Sequence, residues 1–195
     1  MSFEKNFNIN TYPGISRFKE KAVYDQQLHA LTIFPYSNTY RATNFFKLIL
    51  NFSLKDVGFN KKKALPFFVA MELLTNQKCV ATISSKNVIL WKLRKDSLVG
   101  CKVTLRKHNL YEFIDNLYIT LPRMEKFKYI SRAQLDKRIT NSFTLNISEL
   151  VLFYPIELGL GINTEVKRLD INFIFKGISV EEKVFLLTSN KIPIY

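Results

Sequence analysis

The sequence predicts an α+β domain, with a largely antiparallel sheet, helices packed on one face, and a polar, basic opposite face. Several segments alternate apolar and polar residues with a period of two, which is typical of strands buried on one side. Other segments repeat apolar residues every three or four positions, as helices do when one face is buried. Elements of these two kinds combine into a sheet with helices on one side.

Length and composition indicate a single foldable domain with a basic character. The chain has 195 residues, of which 47% are hydrophobic, so it can bury a substantial core without disulfides. Lys and Arg number 29 against 16 Asp and Glu, a formal net charge of +13. This excess favours a polyanionic partner, with nucleic acid first and a membrane surface second. A basic but otherwise ordinary soluble protein is the alternative.

The first part of the chain is expected to be an extension followed by a helix. Residues 1–20 are polar and contain the break Pro13-Gly14, so the domain proper is placed over residues 21–195. Residues 21–31 are a candidate helix that ends before Pro35. We expect no signal or transit peptide. We also expect no membrane span, because charges interrupt each apolar run before the roughly 18 residues that a span needs.

Residues 45–55 form the clearest predicted strand. Its inward row is apolar and consists of Phe46, Leu48, Leu50, Phe52 and Leu54. Its outward row contains Lys47, Asn51 and Ser53, with Ile49 as the exception. An apolar helix over residues 64–74 follows, with Pro66 tolerated in its first turn. Residues 77–84 and 88–95 are then predicted to be two strands joined around residues 84–87.

Residues 99–106 have the same two-sided pattern. Val99, Cys101, Val103 and Leu105 form an apolar row, and Gly100, Lys102, Thr104 and Arg106 form the opposite one. A helix is predicted over 110–121, with Asn109 as its N-cap and Pro122 at its end. Residues 123–141 are basic and irregular. Short strands around residues 143–147 and 169–175 and a last helix over 180–188, capped by Ser179 with Glu182, complete the chain.

No group of residues predicts catalysis or metal binding. The two histidines, His29 and His108, have no partners in the sequence, and nucleophile-elbow and phosphate-loop motifs are absent. Cys79 and Cys101 lie in apolar segments and are expected to be buried free thiols rather than metal ligands. We therefore expect a protein that is not an enzyme and that uses no cofactor and no metal.

The two clearest strands predict a binding surface. If their apolar rows face one core, their polar rows coincide in a basic, hydrogen-bonding platform formed by Lys47, Asn51, Ser53, Lys102, Thr104 and Arg106. Lys and Arg suit phosphates, and Asn and Thr suit ribose hydroxyls and base edges. Because exposed aromatics are not expected there, folded RNA recognised by shape and backbone fits best. The alternatives are an ordinary solvated face, or a module that binds an acidic protein or an anionic lipid.

Four motifs in a fixed order resemble a known family. Gln77-Lys78, the block at residues 100–106 (GCKVTLR), Tyr111-Glu112-Phe113 and residues 121–124 (LPRM) are similar to the bacterial-type large-ribosomal-subunit protein five, a 5S-rRNA-binding protein of the central protuberance. The resemblance runs from about residue 23 to the C-terminus. It implies a structural constituent of the large subunit that binds 5S and/or large-subunit rRNA through its sheet. Neighbouring large-subunit proteins are further implied partners.

The resemblance also implies roles for individual residues. Asn51, Gln77 and Thr104 match family positions that contact 5S rRNA, and Lys78 and Arg123 lie within matching motifs. The family loop that points to P-site tRNA corresponds to about residues 84–88, here Ser84, Ser85, Lys86 and Asn87. The outer region of the family's domain meets protein thirteen of the small-subunit head.

Some positions depart from the family pattern. The loop is poorer in Lys and Arg than in the family, which implies a weaker tRNA contact. Residues 135–141 replace a glycine-rich segment, Arg168 replaces a glycine, and residues 1–20 have no counterpart. Together with a bias towards Lys, Asn, Ile, Phe and Tyr, this divergence favours a mitochondrial ribosome. Another organelle or the bacterial cytoplasm is the alternative.

Overall fold

The segments with a period of two build one antiparallel sheet. The computed structural model describes residues 25–54, 64–91, 93–124, 142–148, 150–158, 168–176, 179–190 and 192. Its strands are β1 (Phe45–Ser53), β2 (Val80–Ile83), β3 (Leu98–Leu105), β4 (Ser142–Ile147) and β5 (Leu169–Phe175). They lie in the order β2-β3-β1-β5-β4, and each neighbouring pair is antiparallel. The extension at 1–20 and most of the basic segment at 123–141 lie outside the described residues.

Five α-helices accompany the sheet in the described ranges. They are α1 (Gln27–Ile33), α2 (Leu65–Thr75), α3 (Lys107–Thr120), α4 (Tyr154–Leu158) and α5 (Val180–Ser189). Short 3-10 turns lie at Thr39–Arg41, Ile89–Trp91, Leu121–Arg123 and Leu150–Leu152. None of the described helices has the length and apolar character that crossing a membrane requires.

The core lies between one face of the sheet and the helices. Alternate strand residues such as Leu50, Val103 and Ile171 are buried together with the apolar stripe of α3, which includes Phe113 and Leu117. Burying one such side chain contributes about 1.5–3 kcal/mol, so the many buried side chains of this layer together stabilise the fold. The residues that alternate with them point to the opposite face of the sheet, and most of these are partly or fully exposed. The predicted α+β architecture is confirmed.

A β-bulge makes the inward row of β1 differ from the predicted one. Phe45 pairs with Phe175, whereas Lys47 pairs with Ile174, so the register shifts between Phe45 and Lys47. Phe45 is therefore the buried residue, at 7% exposure, and Phe46 is turned outward, at 57% exposure. The prediction that Phe46 faces the core is wrong, because an inserted residue breaks the period of two and re-aims one side chain.

The prediction of a strand over residues 88–95 is also wrong. Only a single bridge joins Val88 to Leu93, and the residues between them begin a 3-10 turn. The segment is the loop that connects β2 to β3, closed by hydrogen bonds from the Ser84 N–H to the Ser97 carbonyl and from the Asp96 N–H to the Ser84 carbonyl. Its alternating apolar residues pair with no strand among the described residues.

The start of helix α3 and the end of helix α1 differ from the predicted boundaries by two residues or more. Helix α3 begins at Lys107 rather than after Asn109, because Lys107 takes a left-handed φ of 52° that turns the chain out of β3. Helix α1 continues to Ile33, two residues beyond the predicted end. The cap of α5 is as predicted: the Ser179 hydroxyl accepts a hydrogen bond from the Glu182 N–H at 3.1 Å.

Both cysteines are free and belong to the core side. Cys101 is fully buried and Cys79 is half-buried, with its Sγ 3.8 Å from the Phe68 carbonyl of α2. Burial raises the pKa of the Cys101 thiol to about 12, so this thiol stays protonated and acts as a small apolar side chain.

Gly100 allows β1 and β3 to approach closely. A Cβ atom at this position would lie 2.2 Å from the Phe52 carbonyl oxygen, which belongs to the neighbouring strand. We predict that Gly100→Ala lowers the free energy of unfolding by about 1–3 kcal/mol, because the strands must separate to admit the methyl group. Urea denaturation measures this loss. Ser53→Ala, at the exposed residue paired with Gly100, is the matched control and should change stability by less than about 0.5 kcal/mol. Equal stability of Gly100→Ala and the natural protein would contradict this account.

Candidate nucleic-acid interface

The sheet has one face that the described helices do not cover, and we call it the open face. It contains the residues that alternate with the buried ones on the four longer strands. They are Lys47, Ile49, Asn51 and Ser53 of β1, Lys102 and Thr104 of β3, Asp170, Asn172 and Ile174 of β5, and Ser142, Thr144 and Asn146 of β4. Most of these side chains are polar, and two are cations.

Strand register arranges these side chains in rows across the sheet. Asn51 pairs with Lys102 on one side and with Asp170 on the other. In the adjacent row, Ile49 pairs with Thr104 and with Asn172. The predicted coincidence of the polar rows of β1 and β3 therefore holds, because their antiparallel pairing aligns the outward residues of both strands.

The end of α2 brings Gln77 to the same region. Asn76 ends the helix with a left-handed φ of 50°, and its amide donates to the Glu112 carboxylate of α3 at 3.0 Å. The chain then reverses, so that the exposed Gln77 amide donates to the Thr104 carbonyl oxygen at 3.5 Å. Gln77 and Thr104, two of the predicted contact residues, are thereby adjacent.

Lys78 lies beside Gln77 on the open side. The next residue, Cys79, points to the helix layer, where its Sγ meets the Phe68 carbonyl of α2. Since side chains alternate in extended backbone, Lys78 and Val80 point the opposite way. Val80 pairs with Lys102, so Lys78 lies at the β2 edge of the open face and is exposed.

The cations of the open face have no neutralising partners nearby. Lys47, Lys78, Lys102 and Arg106 form no ion pair within the part of the chain that the structure describes. Arg106 follows the last residue of β3 and is exposed, with its guanidinium carbon 6.0 Å from the Phe46 ring. Four unpaired cations around β1 and β3 give this half of the face a positive potential that suits an anionic ligand.

The half of the open face on β4 and β5 has a different chemistry. Its single carboxylate belongs to Asp170, and its Oδ1 accepts from the Arg168 Nε at 3.1 Å. The Asn146 amide nitrogen, oriented towards Asp170, donates to the same oxygen at 2.8 Å. The Thr144 hydroxyl donates to the Asn172 side-chain oxygen. The alternation of these strands is visible in the sequence, but their polar residues are not among the predicted site residues. Their apolar inward rows, at residues 143–147 and 169–175, are the signal that points to them.

Comparison with known proteins identifies the family. The C-terminal part of the ribosomal L5 protein family matches residues 98–194. A large ribosomal subunit protein uL5 from Wolbachia pipientis subsp. Culex pipiens (strain wPip) is 32% identical over 163 residues, which cover 83% of this chain and 89% of that protein. The uL5 proteins of Wolbachia sp. subsp. Drosophila simulans (strain wRi) and subsp. Brugia malayi (strain TRS) are each 31% identical over 163 residues, covering 83% of this chain and 90% of theirs. The chain belongs to the uL5 family.

Membership in the uL5 family confirms the resemblance that the motifs indicated. The GCKVTLR block lies almost entirely on β3 and supplies the central strand of the basic half. The uL5 family is structural and not catalytic, so the expectation that this chain is not an enzyme is confirmed by its relatives. Among the residues described, no three His, Cys, Asp or Glu side chains are grouped in a way that could hold a metal ion.

Arg123 lies apart from the other predicted contact residues. It follows α3 in the Leu121–Arg123 turn, where its guanidinium donates to the Leu152 carbonyl at 3.3 Å and lies 3.5 Å from the Glu157 carboxylate. These partners belong to the helix layer. Of the eight predicted RNA-contact residues, six therefore lie on the open face, Gln77 lies at its edge beside the Thr104 carbonyl, and Arg123 lies elsewhere.

The predicted tRNA-facing residues lie in the loop between β2 and β3. The Ser84 hydroxyl donates to the Lys86 carbonyl at 2.8 Å, and the Asn87 side chain accepts from the Lys95 N–H at 2.6 Å. Ser85, Lys86 and Asn87 are exposed. The tip beyond them is apolar, with Ile89 and Leu90 each 92% exposed.

Proposed function

We propose that this protein is a structural constituent of the large ribosomal subunit, and that its open face binds 5S and/or large-subunit rRNA at the central protuberance. The observation that carries the proposal is a sheet face that no described helix covers, whose cations form no ion pair with any described residue and are interleaved with hydroxyl and amide groups. Its membership in the uL5 family supports the same assignment. Neighbouring large-subunit proteins are expected to contact the remaining surface.

The open face offers two kinds of contact to RNA. Lys102, Arg106, Lys47 and Lys78 neutralise backbone phosphates, which supplies affinity. The Thr104 hydroxyl and the Asn51 amide are partly exposed and bond to no other side chain in the described ranges, so they are free to meet ribose hydroxyls and base edges. A row of such groups across the sheet suits the wide, shallow minor groove of A-form RNA, which displays ribose hydroxyls and base edges.

We extend the proposal to the loop between β2 and β3. P-site tRNA and protein thirteen of the small-subunit head are the two candidate partners for this loop and the region around it. The exposed Ile89 and Leu90 at the tip favour a protein surface, because apolar side chains bury well against protein and gain little from a phosphate backbone. Lys86 precedes the tip and supplies one exposed cation for a weak contact with tRNA.

The proposed site of action is a mitochondrial ribosome. The bias towards Lys, Asn, Ile, Phe and Tyr and the departures from the family pattern support this location, while the relatives compared above are bacterial proteins. Another organelle or the bacterial cytoplasm is the alternative. Recovery of the protein with ribosomes from purified mitochondria, and not with other ribosomes of the same cells, tests the location.

The two kinds of contact predict different responses to salt. Lys102→Gln should weaken binding to 5S or central-protuberance rRNA and make the salt dependence shallower by about 0.9 log units per log unit of salt, since one phosphate contact is lost. Thr104→Ala and Asn51→Ala should each weaken binding by about 0.5–1.5 kcal/mol with the slope unchanged, since each removes a neutral hydrogen bond. Fluorescence anisotropy titrations at several salt concentrations measure both quantities.

Thermal melting of the three variants provides the control, because all three side chains are at least partly exposed and their loss should leave the fold intact. Thr188→Ala, at an exposed residue of α5 outside the open face, is a further control for general changes of the surface. Binding with no salt slope and no preference over random duplex RNA would contradict the proposal. Stronger binding to an acidic protein or to anionic vesicles would contradict it as well.

The loop tip makes a separate prediction. Replacing Ile89 and Leu90 with Ser should reduce the joining of large and small subunits in sucrose-gradient sedimentation, while incorporation into the large subunit is retained. Lys86→Ala is the matched control and should leave subunit joining unchanged. If Lys86→Ala instead lowers tRNA binding and the tip variant has no effect on joining, the loop contacts tRNA rather than protein.

A further inference from the structure

Phe46 is an exposed aromatic ring at one end of the open face. The β1 bulge turns it outward to 57% exposure, although its neighbour Phe45 is buried. The Lys47 ammonium lies 5.8 Å from the ring centroid, and the Arg106 guanidinium carbon lies 6.0 Å from it. An aromatic ring with two cations close to it suits a ligand that is both anionic and flat, because the cations attract the anion while the ring offers a flat apolar surface.

The surroundings of Phe46 continue this apolar surface into the open face. Ile174 pairs with Lys47 in the adjacent row, and Ile49 lies two residues further along β1. Both side chains are partly exposed. On either side of Ile49 are hydrogen-bonding groups, the Thr104 hydroxyl and the Asn172 amide. The open face thus contains a short apolar strip with cations at its end and polar groups along its edges.

We propose that Phe46 is a stacking platform for one unpaired nucleobase of the bound RNA, with Arg106 and Lys47 holding the phosphates that flank it. A nucleotide needs a flat apolar contact for its ring, a cation for its phosphate, and donors or acceptors for its edge, and this region supplies all three. The inference rests on the proposed RNA-binding function and refines it: the open face reads a paired helix through its backbone and one unpaired base through Phe46.

The test uses two pools of short RNA hairpins that differ in one feature. One pool has randomised but fully paired stems, and the other has the same stems with a single randomised unpaired nucleotide. The natural protein should bind the pool with the unpaired nucleotide about 5- to 150-fold more tightly, the range expected for stacking one base on an aromatic ring. Equilibrium competition between the pools measures this preference.

Two matched variants distinguish the effect of the aromatic ring from the effect of side-chain size. Phe46→Leu keeps an apolar side chain but should lose the preference for the unpaired nucleotide, whereas Phe46→Tyr should retain it. Both variants should melt near the temperature of the natural protein, since Phe46 lies outside the core. Lys102→Gln should weaken binding to both pools by the same factor and leave the preference unchanged.

Each outcome has a definite meaning. Equal binding of both pools by the natural protein, or an unchanged preference in Phe46→Leu, overturns the stacking inference while leaving the proposed RNA-binding function standing. Failure of the natural protein to bind either pool in a salt-dependent way overturns the proposed function itself. If Phe46→Leu keeps full RNA preference but fails to enter the large subunit, the ring contacts a protein and the inference is wrong.

Discussion

Packing of helices α2, α3 and α5 against one face of the sheet is the constraint on which the rest of the structure depends. Because the core lies on one side only, each strand must direct its apolar residues the same way, and the other residues form a second, shared surface. A register slip of one residue would expose Cys101 and bury Lys102, which costs several kcal/mol. The close approach of β1 and β3 at Gly100 fixes the register where the cations are concentrated.

This arrangement determines which side chains form the open face, and therefore its charge and polarity. Among the described residues, the cations of its β1 and β3 half form no ion pair, and its β4 and β5 half carries amides, hydroxyls and a carboxylate already bound by Arg168. A polyanion is therefore attracted to one half and can be oriented by the other. The uL5 relatives identify the chain as a ribosomal protein with a structural role, and such a role requires no catalytic group.

Period-two alternation was sufficient to predict the fold class, the inward rows apart from Phe46, and the coincidence of Asn51, Lys102 and Thr104, because these depend on local geometry repeated along each strand. It failed where geometry is set by neighbours. The bulge that exposes Phe46 comes from the pairing of β1 with β5, and the segment at 88–95 alternates without a partner strand. Arg123 was grouped with the site by its motif, but the fold pairs it with Glu157 in the helix layer.

Cross-linking within the assembled ribosome tests the central claim most directly. After ultraviolet irradiation of intact large subunits, mass spectrometry locates the peptides of this protein that are joined to rRNA. The open-face account predicts cross-links in β1 and β3, near residues 46–53 and 100–106, and few in the residues of α3 and α4. Cross-links concentrated in those helices, with none in β1 or β3, would show that the RNA lies on the other side of the molecule.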